Sequence, residues 1–515
     1  RMESIAGLTA EQRAIISCRV QPGDIILIQA FAGTGKTTTL LNTARCHADE
    51  KVLFITFNKG LSENTKKNSD AVNLEICTMH SLALNHIDPD GIIQIGKTSL
   101  RFLQDTLNFE RQDATIVRTI LNNFFSSNSK YISSSHVNNL NLYNEQFFID
   151  NAKYIWELML SNKCKVPHDA YLKMFQLKNV HLEFDIIMLD EAQDSTECML
   201  SILKKQSHTV RYLVGDIHQQ IYGFRNVCNP FQEHRTESCK IKHFTLSQSF
   251  RYGYQIAHLS NMFLKHFKNE SKKINTVKLS TNILTSLPND KYTLISRTNI
   301  TLLREAFTVS NKSTCHILGK VYNFEKERMY VQNLENIHLG NQILNIEKLS
   351  EFLSIDEIKQ HFRDLHNFKW TMRIALYQEY GAEQLIDNYT QLESQIVDIE
   401  VADVIMSTVH QSKGLEFNNV KLSNDFIPLI KAQNTIFIYK SRSALEGYNL
   451  LYVAMTRAKD NLIINKELFN FLKIKKGQRT YSSFEKCLMC GSSLKTTKNE
   501  EGINCIGFDS KLLYS

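Results

Sequence analysis

The amino-acid sequence predicts an α/β protein made of two parallel-sheet domains, each interrupted by an inserted, mainly helical subdomain. Three observations carry that prediction. Short apolar, β-branched runs alternate with helical stretches up to about Ser81, the pattern of parallel strands joined by crossover helices. The pattern stops between about Leu82 and Asn179 and then resumes. A second series begins near Lys242 and is broken in its turn between about Val321 and Val401.

Taken in order, residues 1–81 form the first part of domain one, with strands at 25–29, 52–57 and 74–78. Residues 82–179 form its helical insertion, in which the polar tracts 126–135 and 138–144 read as surface loops. Residues 180–241 complete the domain with strands at 184–189 and 212–214. Residues 242–320 open domain two, with a strand at 292–296. Residues 321–401 are a smaller insertion, helical over 355–380. Residues 402–470 close the domain with strands at 404–408, 419–422 and 462–465, and 471–515 form a tail.

A chain of 515 residues is too long for one core. Its 43% hydrophobic and 10% aromatic content fit a globular protein. No apolar run approaches membrane-spanning length and the N-terminus is no signal peptide. The 11 cysteines lie mostly in apolar stretches, the usage of an intracellular, soluble chain with reduced thiols. A net charge of +7 permits a nucleic-acid partner without demonstrating one.

The strongest local signal is Ala30-Phe31-Ala32-Gly33-Thr34-Gly35-Lys36-Thr37, set between the strand at 25–29 and a helix with Leu40, Leu41 and Ala44 on one face. Backbone N–H groups of such a loop face phosphate oxygens at a helix N-terminus, Lys36 reaches the terminal phosphates, and Thr37 is placed to ligate Mg²⁺. Ala30 replaces the pattern's first glycine. The strand at 184–189 ends in Asp190-Glu191 at the carboxyl edge of the sheet. Asp190 suits Mg²⁺, and Glu191 suits the activation of an attacking water.

Four further segments read less uniquely. In Gly215-Asp216-Ile217-His218-Gln219-Gln220-Ile221-Tyr222-Gly223-Phe224-Arg225, Gln219 has the reach to sense a γ-phosphate. Tyr222, Phe224 and Arg225 form an aromatic–cation group able to stack on unpaired bases; the aromatics read equally as core. Arg251 and Arg457 are guanidinium groups of the kind that stabilise a phosphoryl-transfer transition state, or surface ion-pair residues. In 407–417, Thr408, His410 and Lys413 offer contacts to a phosphate backbone. Glu416 offers an acceptor for a ribose hydroxyl, and the whole segment reads equally as a polar turn.

In order and spacing these blocks resemble the UvrD/Rep-like branch of superfamily 1 helicases, and within it the F-box DNA helicases, from Leu8 to about Ile464. The subfamily pointers are the 30–36 loop, Val166-Pro167-His168-Asp169-Ala170-Tyr171-Leu172-Lys173 and Asn449-Leu450-Leu451-Tyr452-Val453-Ala454. The resemblance implies two RecA-like P-loop NTPase domains that use ATP and Mg²⁺ on single-stranded and tailed duplex DNA. It implies 3′-to-5′ polarity, a role in recombination or replication repair, and a nuclear location. Gln12, in Leu8-Thr9-Ala10-Glu11-Gln12, takes the adenine-contacting position; Thr9 and Gln12 also fit a capping box. Phe250 takes the place of an adenine-stacking aromatic. Phe57 and Asn58, then Thr78 and His80, match DNA-contacting blocks.

No F-box fits ahead of Leu8, so ubiquitin-ligase partners are expected only if one lies upstream of this sequence. Cys487 and Cys490 with Cys505 offer three ligands, where a closed zinc site needs four. The run Lys473-Ile474-Lys475-Lys476 reads as an import signal or as a solvated face. Rival readings with the same motifs are a translocase that strips proteins from DNA with little unwinding, a non-catalytic ATP-binding adaptor, and an RNA motor.

Overall fold

The computed structural model describes residues 7–57, 63, 73–137, 144–233, 240–278, 281–286, 290–319, 322–341, 349, 352, 354–364, 367–426 and 442–472. The chain divides into two compact units, 1–248 and 249–515.

Unit one holds six strands: β1 (Ile25–Ala30), β2 (Val52–Thr56), β3 (Leu74–Thr78), β4 (Ile186–Leu189), β5 (Val210–Gly215) and β6 (Ile241–Leu246). They form one all-parallel sheet in the order β3-β2-β4-β5-β1-β6. The central strands are apolar at nearly every position because both faces are covered. Ile26 and Ile28 face the helices Ala10–Ile16 and Lys36–Cys46, in a core with Phe54, Met188 and Tyr212. Ile25 and Leu27 share the opposite core with Leu53, Ile187, Leu213 and the inserted helices. The two-residue period of a strand sorts the side chains this way.

β6 corrects the expected boundary at 241. It pairs with β1 from Ile25↔Ile241 to Ala30↔Leu246, so the first unit runs on through Gln248. Its sequence, Ile-Lys-His-Phe-Thr-Leu, is half polar because it lies at the sheet edge.

The insertion between β3 and β4 is helical as expected, with long helices at Arg111–Ser126, Glu145–Leu160 and His168–Lys178. The tract 126–135 is no simple surface loop. Lys173 is fully buried and donates Nζ to the carbonyl of Ser127 (3.0 Å) and to that of Ser129, over the Phe124 ring at 4.5 Å. Residues 138–143, most of the second tract, lie outside the described residues.

Burial lowers the Lys173 pKa to about 8, with the neighbouring Lys205 adding to the shift. A lysine whose folded pKa lies below its unfolded value makes the folded state bind fewer protons as pH rises from about 8 to 10.4, so its burial penalty is relieved across that window. Wild type is therefore expected to gain stability relative to Lys173→Met between pH 7.5 and 9.5. Urea denaturation of both at the two pH values checks it; a pH-independent difference would contradict it.

Unit two holds β9 (Asn282–Leu284), β10 (Tyr292–Ser296), β11 (Cys315–Ile317), β12 (Val404–Thr408), β13 (Phe417–Leu422) and β14 (Ala458–Ile463), after a two-stranded pair, β7 (Gln248–Gly253) and β8 (Asn275–Lys278). The six-stranded sheet is again all-parallel, in the order β11-β12-β10-β13-β14-β9. The last strand starts four residues before the expected 462, and Asn465 caps the next helix through Leu468 N–H (2.7 Å). The stretch 355–380 is two helices, Ile355–Asp364 and Phe368–Tyr380, the second capped by Asn367 accepting from Trp370 N–H.

Candidate nucleotide and nucleic-acid site

Strands β1 to β5 of the first sheet deliver their chemistry at the same, carboxyl edge, where open α/β sheets bind ligands. β1 leads into the 30–37 loop. Gly33 (φ 75°) and Gly35 (φ 77°) adopt left-handed conformations there, and Gly35 caps the helix Lys36–Cys46. Ala30 is buried at the strand end, so no glycine is needed at that position. The Phe31 ring is fully buried and stacks on His218 at 5.9 Å, so what it contributes to the loop is packing. Thr34 Oγ1 donates to the Phe31 carbonyl (2.8 Å) and closes the loop.

Thr37 Oγ1 donates to Asp190 Oδ2 at 2.6 Å, and Lys36 Nζ lies 3.2 Å from Glu191 Oε1. Thus 153 residues of chain separate groups that meet at one point. Burial raises the Asp190 pKa to about 6, helped by the adjacent Glu191 charge and opposed by Lys36. Burial works against the Lys36 charge, but Glu191, Asp216 and Asp190 outweigh it and hold its pKa up. The hydroxyl-plus-carboxylate pair suits Mg²⁺, which takes one or two carboxylates and completes its shell with phosphate oxygens and water. Among the described residues no group of three or more His, Cys, Asp or Glu side chains could hold a metal.

Glu191 is held at φ 52°, an uncommon conformation for a residue with a Cβ. Its N–H donates to Asp190 Oδ1 (2.8 Å), and its Oε2 accepts from Gln193 Nε2 (2.5 Å). After β5, Gln219 is buried and donates Nε2 to Asp216 Oδ2 (2.7 Å).

A cavity of about 570 Å³ runs from this acid pair to Phe57, Thr78, His80 and Arg225. Phe57 stacks on Tyr222 with ring centroids 5.3 Å apart. His80 Nε2 lies 3.0 Å from Asp169 Oδ1, at the start of the helix His168–Lys178. Burial works to raise the Asp169 pKa, but the His80 hydrogen bond and the charges of His80, Arg225 and His168 outweigh it and keep it low. Nothing in the 166–173 sequence itself gives Asp169 a role; the fold puts it in the cavity wall. Asn58 lies outside the described residues, as does the Phe224 side chain.

Gln12 makes both halves of the capping box with Thr9. Its Nε2 also donates to Thr39 Oγ1 (3.1 Å) in the helix after the loop, so the same amide is fixed beside the loop.

Unit two gathers a second cluster. Arg251 donates Nε to Glu416 Oε2 (2.8 Å) and Nη1 to the Thr456 carbonyl (3.0 Å). Arg457, buried, donates Nε to the Val453 carbonyl (3.1 Å) and Nη1 to that of Leu415 (3.0 Å). Glu416, read from sequence as a ribose acceptor, has Arg251 as its partner here. Phe250 is exposed. Thr408 is buried at the end of β12 and begins the helix Val409–Ser412, which carries His410. Cys487, Cys490, Cys505 and the 473–476 run lie outside the described residues.

A phosphate loop between a parallel strand and a helix, with lysine, threonine and two strand-end acids converging on it, defines a P-loop NTPase. The model of the UvrD-like helicase C-terminal domain matches residues 81–467, well over half of the chain. The chain belongs to the UvrD-like helicase family, and its two sheets are the family's two RecA-like domains. It is 29% identical over 508 residues to F-box DNA helicase protein 1 of Schizosaccharomyces pombe, across 89% of this chain and 57% of that protein. It is 30% identical over 514 residues to F-box DNA helicase 1 of Gallus gallus, across 91% and 50%. A probable DNA helicase of Mycoplasma pneumoniae is 22% identical over 512 residues, across 90% and 84%. The resemblance to F-box DNA helicases therefore holds, while the chain spans about half the length of these two relatives. No helix among the described residues is long and apolar enough to cross a membrane.

Proposed function

We propose that this chain is an ATP-dependent DNA helicase that translocates on single-stranded DNA, 3′ to 5′, in recombination or replication repair, with the nucleus as its place of action. The observation that carries the reading is the continuity of the first-unit site. The acid pair facing Lys36 and Thr37 opens into a cavity whose far wall carries Phe57, His80 and Arg225. Lys36 and the loop amides bind the ATP phosphates, while Gln12 and Phe250 hold adenine. Thr37 and Asp190 would hold Mg²⁺, which supplies charge neutralisation at the phosphates when bound. Glu191 takes the proton of the attacking water, and Gln219 senses the γ-phosphate. Arg251 and Arg457 stabilise the transition-state charge, with Glu416 orienting Arg251. On the nucleic-acid side, Phe57 and Tyr222 give stacking platforms, and Thr78, Arg225, Thr408 and His410 contact the strand.

The F-box in the relatives' names is said of those proteins; the proposal for these 515 residues is the motor. Tyr222→Ala is expected to weaken oligonucleotide binding by the roughly 1–3 kcal/mol of one lost stacking platform, read by fluorescence anisotropy at fixed salt. Strand displacement on 3′-tailed, 5′-tailed and blunt duplexes tests the function. Unwinding confined to the 3′-tailed duplex is expected. Activity only with a 5′ tail overturns the polarity, and ATP turnover without displacement on any duplex favours a protein-stripping translocase.

A further inference from the structure

The buried Gln193 lies between Glu191 and the turn that follows β5 and its amide bonds to both, with a longer contact from Nε2 to Asp194 Oδ2 (3.4 Å). Nε2 donates to Glu191 Oε2 (2.5 Å), while Oε1 accepts from Asp216 N–H (3.0 Å). Its backbone carbonyl accepts from Gln220 Nε2 (2.8 Å). The approach is so close that a Cβ at Gly215 would collide with Gln193 Oε1 and sit 3.1 Å from its backbone nitrogen. The turn is short and carries different chemistry at its two ends. Asp216 and Gln219 sit at the phosphate end. Tyr222, stacked on Phe57, and Arg225, lining the cavity, sit at the nucleic-acid end. Asn226 then donates Nδ2 to Asn123 Oδ1 and to Ser126 Oγ, both 3.1 Å, in the inserted helix Arg111–Ser126. The turn cannot shift along the sheet edge without moving the Gln193 amide, and the amide cannot move without releasing or turning the Glu191 carboxylate.

We infer that Gln193 is a positioning residue that ties Glu191 to the 216–226 turn, so that single-stranded DNA held by Tyr222 and Arg225 sets the orientation of the Glu191 carboxylate and thereby the rate of ATP hydrolysis. The inference rests on the reading of Glu191 as the base that activates water. Gly215 is part of the device, because only a residue without a Cβ lets the amide reach the Asp216 N–H.

The test uses the full chain as wild type, Gln193→Met and Gly215→Ala. Steady-state ATP hydrolysis is measured across ATP and oligo-dT concentrations, and oligo-dT affinity is measured separately by anisotropy. In both variants the DNA-stimulated kcat is expected to fall more than the DNA-free rate. The stimulation ratio should drop by about 10- to 100-fold, the scale of a catalytic group displaced by an ångström. KM for ATP and the oligo-dT Kd should change far less, an outcome that loss of folding alone does not give. Equal falls with and without DNA, or a ratio kept at its wild-type value, overturn the inference and leave the motor reading intact. A wild-type ATPase indifferent to DNA overturns both.

Discussion

Glu191→Gln is expected to lower kcat for ATP hydrolysis by about 10²- to 10⁴-fold, the usual contribution of a positioned general base. The substitution keeps the size of the side chain and keeps an acceptor for Gln193 Nε2, so the strained backbone at φ 52° has no new clash to absorb. It removes the charge facing Lys36 Nζ at 3.2 Å and the site for the water's proton. ATP and DNA binding should survive, so the loss belongs to kcat with KM little changed, as for an interaction made chiefly in the transition state. Pre-steady-state turnover of radiolabelled ATP, with nucleotide affinity measured alongside, reads this directly. A variant within a few-fold of wild type would remove Glu191 from the chemistry.

The largest effect on stability is expected in the second-unit insertion. Arg373 donates Nε and Nη2 to the two Glu327 oxygens, each at 2.7 Å, with both residues buried. Its guanidinium also lies over the rings of Tyr330 (3.8 Å) and Trp370 (4.8 Å). The pair ties the helix Phe324–Leu339 to Phe368–Tyr380. Arg373→Ala leaves the Glu327 carboxylate, among the described residues, with the exposed Lys369 at 3.7 Å as its remaining cation, and breaking a buried pair this way costs about 3–5 kcal/mol. In a chain of two units the loss is local. Amide exchange in these two helices should therefore accelerate by at least about 10²-fold, at roughly 1.4 kcal/mol per tenfold. Arg373→Met with Glu327→Leu should recover much of the loss, because a buried ion pair is often replaceable by apolar packing. Unchanged exchange in the alanine variant would show that the pair contributes little.

What the sequence made legible follows from what is local. Strands β1 to β5, β10, β12 and β13 stand out because apolar β-branched runs are bounded by turn residues, and the phosphate loop because its glycines and lysine are contiguous, whereas the three-residue β11 is too short to show as a run. The edge strand β6 does not stand out, and its residues read as the start of domain two, because its polar half gives no apolar run and its partner β1 lies more than 200 residues earlier. The burial of Lys173 was equally hidden: a lysine on a helix reads as solvated, and its acceptors come from carbonyls 44 and 46 residues away. The same distinction runs through the site. Lys36, Thr37, Asp190 and Glu191 could be named from motif and strand position, and the structure brings them together. Gln193 and Asp169 act through side chains met only after folding, Gln193 on a backbone N–H 23 residues on and Asp169 on a histidine 89 residues back. Glu416 shows the same limit: nothing in its own segment announces that its exposed carboxylate accepts from Arg251, 165 residues back.

The central claim is that the Lys36–Glu191 site is an ATPase driven by the strand lying in the adjoining cavity. The most direct measurement is Mg²⁺-dependent ATP hydrolysis by the full 515-residue chain titrated with single-stranded DNA, beside Lys36→Ala under the same conditions. The account predicts a rate that climbs and saturates with DNA in wild type and stays at background in the variant. Wild-type hydrolysis no greater than that of Lys36→Ala with DNA present, or hydrolysis that ignores DNA, would contradict it.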